Sequence, residues 1–158
     1  MDRVLDPHTG ADRPVEVPWG KDYDALPGNH PTAWASRFDL SSWGLLSAHL
    51  DGRLVGGAVV AFRTPGVDLL EGRDDLAVLW DLRVAPDARR TGVGRALFAA
   101  AATWARSRGA RELKVETQDL NVAACRFYAA QGCALARVDP SAYPDLPGEV
   151  QLLWVLAL

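Results

Sequence analysis

The most informative stretch of this sequence is Arg89-Arg90-Thr91-Gly92-Val93-Gly94. An apolar segment at 78–84 runs directly into it, and a helical pattern of apolar residues begins near its end. Two glycines at a strand–helix junction let several backbone N–H groups point into one small space, because glycine has no side chain to block a ligand. The helix adds the positive end of its dipole. Such a site favours a phosphate or pyrophosphate, and three arginines surround it with positive charge: Arg89, Arg90 and Arg95.

The spacing of the glycines excludes two familiar phosphate loops. A P-loop requires a lysine directly after its second glycine, and no lysine follows Gly94. A dinucleotide-binding loop requires a third glycine three residues later, and that position is Leu97. A glycine-rich turn before a surface helix, without any ligand, remains the alternative interpretation of the six residues alone.

The composition is that of a single globular domain covering 1–158. The chain has 158 residues, of which 49% are hydrophobic and 23% charged. Its net charge of −3 argues against a nucleic-acid binder, which is usually basic. We expect no membrane span and no signal peptide, and therefore a cytoplasmic protein. Cys125 and Cys133 are expected to be reduced, core-filling thiols, and no metal site is expected.

The apolar periodicity predicts a mixed α/β (α+β) fold. Residues 1–40 are rich in proline and are expected to form an irregular segment packed on the domain, with one short helix at about 32–38. The predicted helix after the loop has an apolar stripe that includes Ala96 and Ala100. Helices between strands require parallel neighbours there. The predicted strands are 42–50, 54–62, 76–84, 112–118, 133–138 and 150–158, and the predicted main helices are about 93–108, ended by Gly109, and 122–131.

A second motif follows at Asn121-Val-Ala-Ala124-Cys-Arg-Phe127-Tyr128. With the strand, the R-x-x-G-x-G loop and the amphipathic helix, it resembles the GCN5-related N-acetyltransferases (GNAT) from about 41 to 158. The resemblance implies a central mixed sheet that splays between two parallel strands and is flanked by helices. It also implies that acetyl-coenzyme A (acetyl-CoA) enters the gap.

The resemblance implies a set of cofactor-binding residues. The pantetheine arm would bond to the strand edge, and the pyrophosphate would lie on the amides of 90–95. A backbone N–H at Leu82 would stabilise the oxyanion. The residues implied in binding are Leu82, Arg83, Val84, Arg89, Arg90, Thr91, Gly92, Val93, Gly94, Arg95, Asn121 and Tyr128.

Tyr128 is the expected general acid, because a phenol can protonate the departing thiolate. The alternative is an ordinary helix residue beside Phe127. Asn121 is first a helix cap by its residue type. By resemblance, its side chain also contacts the pantetheine amide.

A carboxylate is needed to accept a proton from the attacking amine, and two are candidates. Asp81 is the acidic residue of the central strand, and Glu116 lies in the neighbouring strand. A carboxylate in a strand is costly unless it is paired or functional. Asp81 is therefore either a base or substrate-binding group, or simply the partner of Arg83.

The C-terminal half is most similar to the streptothricin acetyltransferases, on the run Glu116-Thr-Gln-Asp119-Leu-Asn121 through Tyr128 and on Tyr143, Glu149 and Trp154. Those enzymes acetylate an amine of an antibiotic. Glu116, Asp119, Asp139 and Glu149 would suit a cationic substrate. The chain departs from that family at Trp80, where a glutamate is usual, in the final strand, and across 1–40.

The sequence and the resemblance thus predict direct transfer of acetyl from acetyl-CoA to a primary amine of a small molecule in a ternary complex. A streptothricin-like antibiotic is the named candidate for that molecule. A protein-amine acetyltransferase and a non-catalytic acyl-CoA-binding module are the alternatives. The apolar segment 150–158 would need a partner if exposed, and a homodimer is one way to supply it.

Overall fold

The computed structural model describes residues 3–5, 12–14, 23–26 and 28–158. Two short strands, β1 (Arg3–Leu5) and β2 (Asp12–Pro14), pair antiparallel. The sequence did not predict this pair. The predicted short helix is α1 (Trp34–Arg37), preceded by a 3-10 turn at Pro31–Ala33. Part of the segment 1–40, which was expected to pack on the domain, lies outside the described residues.

The remaining elements follow the predicted order, with bounds that differ by at most two residues at most ends. These elements are β3 (Gly44–Leu50), β4 (Arg53–Phe62), β5 (Leu76–Val84), α2 (Val93–Ser107), β6 (Glu112–Gln118), α3 (Val122–Ala130), β7 (Ala134–Asp139) and β8 (Gln151–Ala157). These six strands are hydrogen-bonded in the order β3-β4-β5-β6-β8-β7. In the sequence, α2 connects β5 to β6 and α3 connects β6 to β7.

The mixed sheet confirms the predicted fold class. β5 and β6 are parallel, whereas β3–β4, β4–β5 and β7–β8 are antiparallel. The chain divides into two compact units. The first, which we call the loop unit, comprises 32–114 with 157–158, and the second, the tail unit, comprises 1–31 with 115–156.

In the loop unit, α2 packs on β3 and β4 through a face that differs from the predicted stripe. Ala96 and Ala100 are exposed, and the buried side chains follow two adjacent i, i+4 rows. The rows contain Val93, Leu97, Ala101 and Ala105, and Phe98 and Ala102. Burying an alanine removes little apolar surface from water, whereas burying Phe98 removes much more. The helix face that carries Phe98 is therefore the one that packs on the sheet.

Gly56 allows β4 to approach β5 closely. A Cβ atom at Gly56 would lie 2.7 Å from the carbonyl oxygen of Arg83. The hairpin between β3 and β4 turns at Asp51 and Gly52, which have φ angles of 49° and 77°. These positive angles match a type I′ hairpin turn.

In the tail unit, β8 is a neighbour of both β6 and β7 rather than an exposed edge. Its residues Leu152, Leu153 and Trp154 are buried, and Trp154 Nε1 donates to Thr117 Oγ1 at 2.9 Å. The partner that the apolar final strand needs is therefore supplied within the chain, so this feature gives no support for a homodimer. No helix in the described part of the chain is long and apolar enough to cross a membrane.

Candidate functional site

The C-terminal part of β5 has one edge that does not pair in the parallel ladder. Pairing with β4 continues to Val84, but in the described part of the chain the register with β6 covers only residues 76–78 and 112–114. The backbone N–H and C=O groups beyond Val78 on that side of β5 are therefore not engaged in the ladder. Such groups require hydrogen-bond partners, and a bound ligand can supply them. Leu82, Arg83 and Val84 lie on this segment.

A β-bulge lies at the start of this free edge. Val59 pairs with Asp81 and Val60 with Leu79, so Trp80 is an extra residue in β5. Bulges re-aim side chains and are frequent beside functional sites. No local sequence pattern predicts this bulge, because a bulge depends on the register with the partner strand.

Trp80 belongs to a cluster of aromatic rings formed with α1 and with the segment between α1 and β3. Its ring centroid lies 5.5 Å from those of Phe38 and Trp43 and 6.4 Å from that of Trp34. Trp34 and Trp43 are buried, whereas Phe38 and Trp80 are partly exposed. The cluster supports the bulged strand from one face.

The glycine loop forms an uncapped N-terminus of α2. Gly92 is the N-cap residue with φ 92°, and no side chain caps the helix. Ala96 N donates to Gly92 O at 3.0 Å, which leaves the N–H groups of Val93, Gly94 and Arg95 without a partner in the helix. A Cβ atom at Gly92 would meet nothing within 4 Å, so the space beside the loop is open. This geometry fits an anionic group.

The arginines around the loop have different roles. Arg89 Nε donates to Val84 O at 3.3 Å and so joins the loop to the end of β5. Arg90 and Arg95 are exposed and form no ion pair with any described residue. Thr91 Oγ1 donates to Ala88 O at 2.5 Å, which holds the loop rather than leaving the hydroxyl free to donate to a ligand.

Asp81 and Arg83 form the ion pair that their spacing allowed. Arg83 Nε lies 3.0 Å from Oδ1 and 2.8 Å from Oδ2 of Asp81. The two side chains are 23% and 46% exposed, so the pair stabilises the fold by at most about 1 kcal/mol. Both side chains are partly exposed to solvent, so either of them is accessible to a ligand.

In the tail unit, Asn121 caps α3 as predicted, with its Oδ1 accepting from Ala124 N at 3.1 Å. Tyr128 is buried on the same helix, and its ring packs edge-to-face on Phe127 at 5.1 Å. The edge-to-face pair holds the orientation of the phenol ring.

Glu116 lies in a polar cluster that was not predicted from the sequence. Tyr143 OH donates to its Oε1 at 2.5 Å, and Gln151 Nε2 donates to its Oε2 at 3.1 Å. Gln118 Nε2 in turn donates to Tyr143 OH at 3.0 Å. Gln118 is two residues after Glu116, so the two side chains lie on the same face of β6. Of the contacts in this cluster, only this proximity could have been predicted from sequence.

The other acidic residues expected to suit a cationic substrate are engaged differently. Asp119 is 1% exposed, and its Oδ1 accepts from Val150 N at 3.0 Å, so the expectation that it meets a substrate is wrong. Hydrogen bonds from Ser141 and Arg137 hold the pKa of Asp139 below its ordinary value. Asp139 thus has an internal cationic partner, at 2.7 Å from Arg137.

The two cysteines have the character predicted for core thiols. Both are free and buried, and burial raises the pKa of each. For Cys133 the pKa rises to about 11. Since the thiolate is the nucleophile, neither residue is suited to carry an acyl group.

Comparisons with known proteins agree with this geometry. The profile of the Acetyltransferase (GNAT) family matches residues 11–133. Streptothricin acetyltransferase A of Bacillus subtilis (strain 168) is 39% identical over 80 residues, 49% of this chain and 46% of that protein. The alignment thus spans about half the length of this curated relative.

Solved structures extend the similarity over more of the chain. The crystal structure of nourseothricin acetyltransferase superposes with a TM-score of 0.71 at 28% identity, covering 99% of this chain and 85% of the other. A protein described as a streptothricin acetyltransferase from Bacillus anthracis str. Ames, in complex with acetyl coenzyme A, has a TM-score of 0.61 at 30% identity. That match covers 71% of this chain and 60% of the other.

We predict slow alkylation of both cysteines in the folded protein. With a pKa of about 11 against 9.0 unfolded, the thiolate fraction of Cys133 near neutral pH falls roughly a hundredfold. Iodoacetamide labelling followed by mass spectrometry, with and without urea, checks this. Rapid labelling of either residue in the native protein would contradict the prediction.

The raised pKa of Cys133 also affects the pH dependence of stability. Burial of this thiol stabilises the fold below pH 9.0, and this contribution is lost as the pH rises to about 11.

Proposed function

Because the chain belongs to the GNAT acetyltransferase family, we propose that it transfers the acetyl group of acetyl-CoA to a primary amine of a small molecule. The observation that carries the proposal is the uncapped N-terminus of α2 at the end of a strand with a free edge. The amine attacks directly in a ternary complex. We place the reaction in the cytoplasm, where we expect the protein to reside.

In this proposal the loop unit binds the cofactor. The pyrophosphate accepts hydrogen bonds from the N–H groups of the loop and of the first turn of α2, with Arg90 and Arg95 as counter-charges. The pantetheine arm lies along the free edge of β5 at Leu82, Arg83 and Val84. The residues proposed for the pyrophosphate site are Arg89, Arg90, Thr91, Gly92, Val93, Gly94 and Arg95.

The chemistry consists of one bond formed and one broken. The neutral amine nitrogen attacks the carbonyl carbon of the thioester. The backbone N–H of Leu82 stabilises the negative charge that develops on the thioester oxygen. The C–S bond then breaks, and Tyr128 donates its phenolic proton to the departing thiolate. The proton lost by the amine passes to Asp81 or Glu116, directly or through water. Asn121 contributes a contact to the pantetheine amide in addition to capping α3.

The acceptor class follows from the relatives and from the carboxylates described above. Streptothricin-type antibiotics, which are amine-rich cations, are the named candidates, since relatives that act on streptothricin match this chain. Trp80 in place of a carboxylate removes one negative charge from the site, so the acceptor preference is expected to differ from that of those relatives. A protein amine is the second candidate within the same chemistry.

The proposal is tested by release of free coenzyme A thiol with a panel of amines: streptothricin, spermidine, lysine and a short peptide. We expect turnover of at least one small amine and little turnover of the peptide. A preference for the peptide would support the protein-amine alternative. Tight binding of acetyl-CoA without turnover of any amine would favour a non-catalytic binding module.

Substitution Tyr128→Phe is expected to lower kcat about a hundredfold or more, because loss of a general acid typically costs 10²–10⁴. The affinity for acetyl-CoA, measured by calorimetry, should change little. Phe127→Leu serves as the control, since it disturbs the same ring pair without removing a hydroxyl. Unchanged turnover by Tyr128→Phe would remove Tyr128 from the mechanism.

A further inference from the structure

One face of the sheet in the loop unit is covered by α2. A Cβ atom at Gly56 would lie 3.0 Å from Leu97 Cδ1, so Gly56 is on the helix side of β4. Val59 lies three residues further along β4 and therefore points to the opposite face. Asp81 pairs directly with Val59, so it shares that opposite face. Since α2 covers the first face, an acceptor would approach β5 from the second.

The second face carries apolar side chains that are open to solvent. Val59 and Trp80 pack on the buried core cluster of the loop unit, yet each is only partly buried. Leu45 pairs with Val59 and is 72% exposed. We call the surface formed by Leu45, Val59 and Trp80 the apolar face. Apolar surface that is rimmed by charges, here Asp81 and Arg83, is typical of a binding site.

Three aromatic rings hold the indole of Trp80 in one orientation. The plane of the indole lies at 90° to the ring of Trp34, at 77° to that of Phe38 and at 57° to that of Trp43. Edge-to-face pairs of this kind restrict rotation of a ring. A ligand that packs on the exposed part of the indole therefore loses little affinity to the ordering of this side chain.

The indole is close to the place proposed for the chemistry. Trp80 precedes Leu82, whose N–H is the proposed oxyanion donor, by two residues, which is at most about 7 Å along a strand. The attacking nitrogen must come within about 3–3.5 Å of the thioester carbon. A group that is attached to the amine through one or two carbon atoms is therefore within reach of the apolar face.

We propose that Trp80 determines the specificity for the acceptor, and that the apolar face binds a flat apolar group, above all an aryl group, carried close to the amine that is acetylated. The inference rests on the proposed acetyl transfer and deepens it by naming the substrate class. Carboxylates attract any cationic amine, whereas an indole surface distinguishes an aryl amine from an aliphatic one of the same charge. The distinction arises because the aryl group is removed from water and packs on the ring.

The test compares 2-phenylethylamine with n-butylamine, which both carry one primary amino group but differ in the ring. Thiol release is measured at saturating acetyl-CoA. For the unaltered protein, kcat/KM should be about tenfold higher for the aryl amine, which corresponds to about 1.4 kcal/mol. Trp80→Ala should lower the ratio of the two kcat/KM values to about one and leave KM for acetyl-CoA unchanged, because the surface that distinguishes the two amines is then lost.

Trp34→Phe is the matched control. Trp34 belongs to the same ring cluster, but it is only 7% exposed and does not form part of the apolar face. This variant disturbs the packing of the cluster and should keep the ratio of the unaltered protein. Should Trp80→Ala fail to fold, Trp80→Phe replaces it. The smaller ring of that variant offers less surface and should lower the ratio about threefold.

Two results would overturn the assignment while leaving the acetyl transfer intact. One is equal kcat/KM for the two amines in the unaltered protein. The other is a Trp80→Ala variant that loses activity on both amines to the same degree, since an unchanged ratio means that Trp80 only supports the fold. Failure of the unaltered protein to acetylate any amine would instead overturn the proposed function, and the assignment with it.

Discussion

The structure depends on the point at which β5 stops pairing with β6. The parallel ladder covers residues 76–78, whereas the antiparallel pairing with β4 continues to Val84. A central strand normally has both edges satisfied, and an unengaged backbone edge is costly to bury without a partner. Here the unengaged edge leads directly into the loop whose helix has no side-chain cap. Backbone groups outside the parallel ladder and the N–H groups of the first turn of α2 thereby follow one another along one segment of chain.

Rigid neighbours hold this segment in place. On one side, Gly56 allows β4 to approach so closely that a Cβ atom would lie 2.7 Å from Arg83 O. On one face, the bulge at Trp80 is packed by three aromatic rings, two of them 5.5 Å away. Arg89 joins the loop back to Val84. Because binding to a preorganised site avoids the cost of ordering it, this support favours tight binding of an anionic ligand.

Features that depend on local sequence were predictable. The bounds of β5, the start of α2 after Gly92 and the cap at Asn121 follow from apolar runs and from backbone chemistry over a few residues. Features that depend on distant pairing were not. The bulge at Trp80 is set by β4, and the bond between Glu116 and Tyr143 joins residues 27 positions apart. For the same reason, burial of Asp119 against Val150 was missed and the residue was wrongly expected to meet a substrate.

The central claim, that the loop before α2 binds the pyrophosphate of acetyl-CoA, is tested most directly by calorimetry of Gly92→Ala beside Gly52→Ala. Both glycines have positive φ, 92° and 77°, and open space around a Cβ atom. Each substitution therefore adds a similar strain of about 1–2 kcal/mol. In the loop this strain shifts the backbone away from the binding conformation, so Gly92→Ala should lower the affinity for acetyl-CoA about tenfold or more. Gly52→Ala should bind as the unaltered protein does. Equal affinities in the two variants would contradict the account.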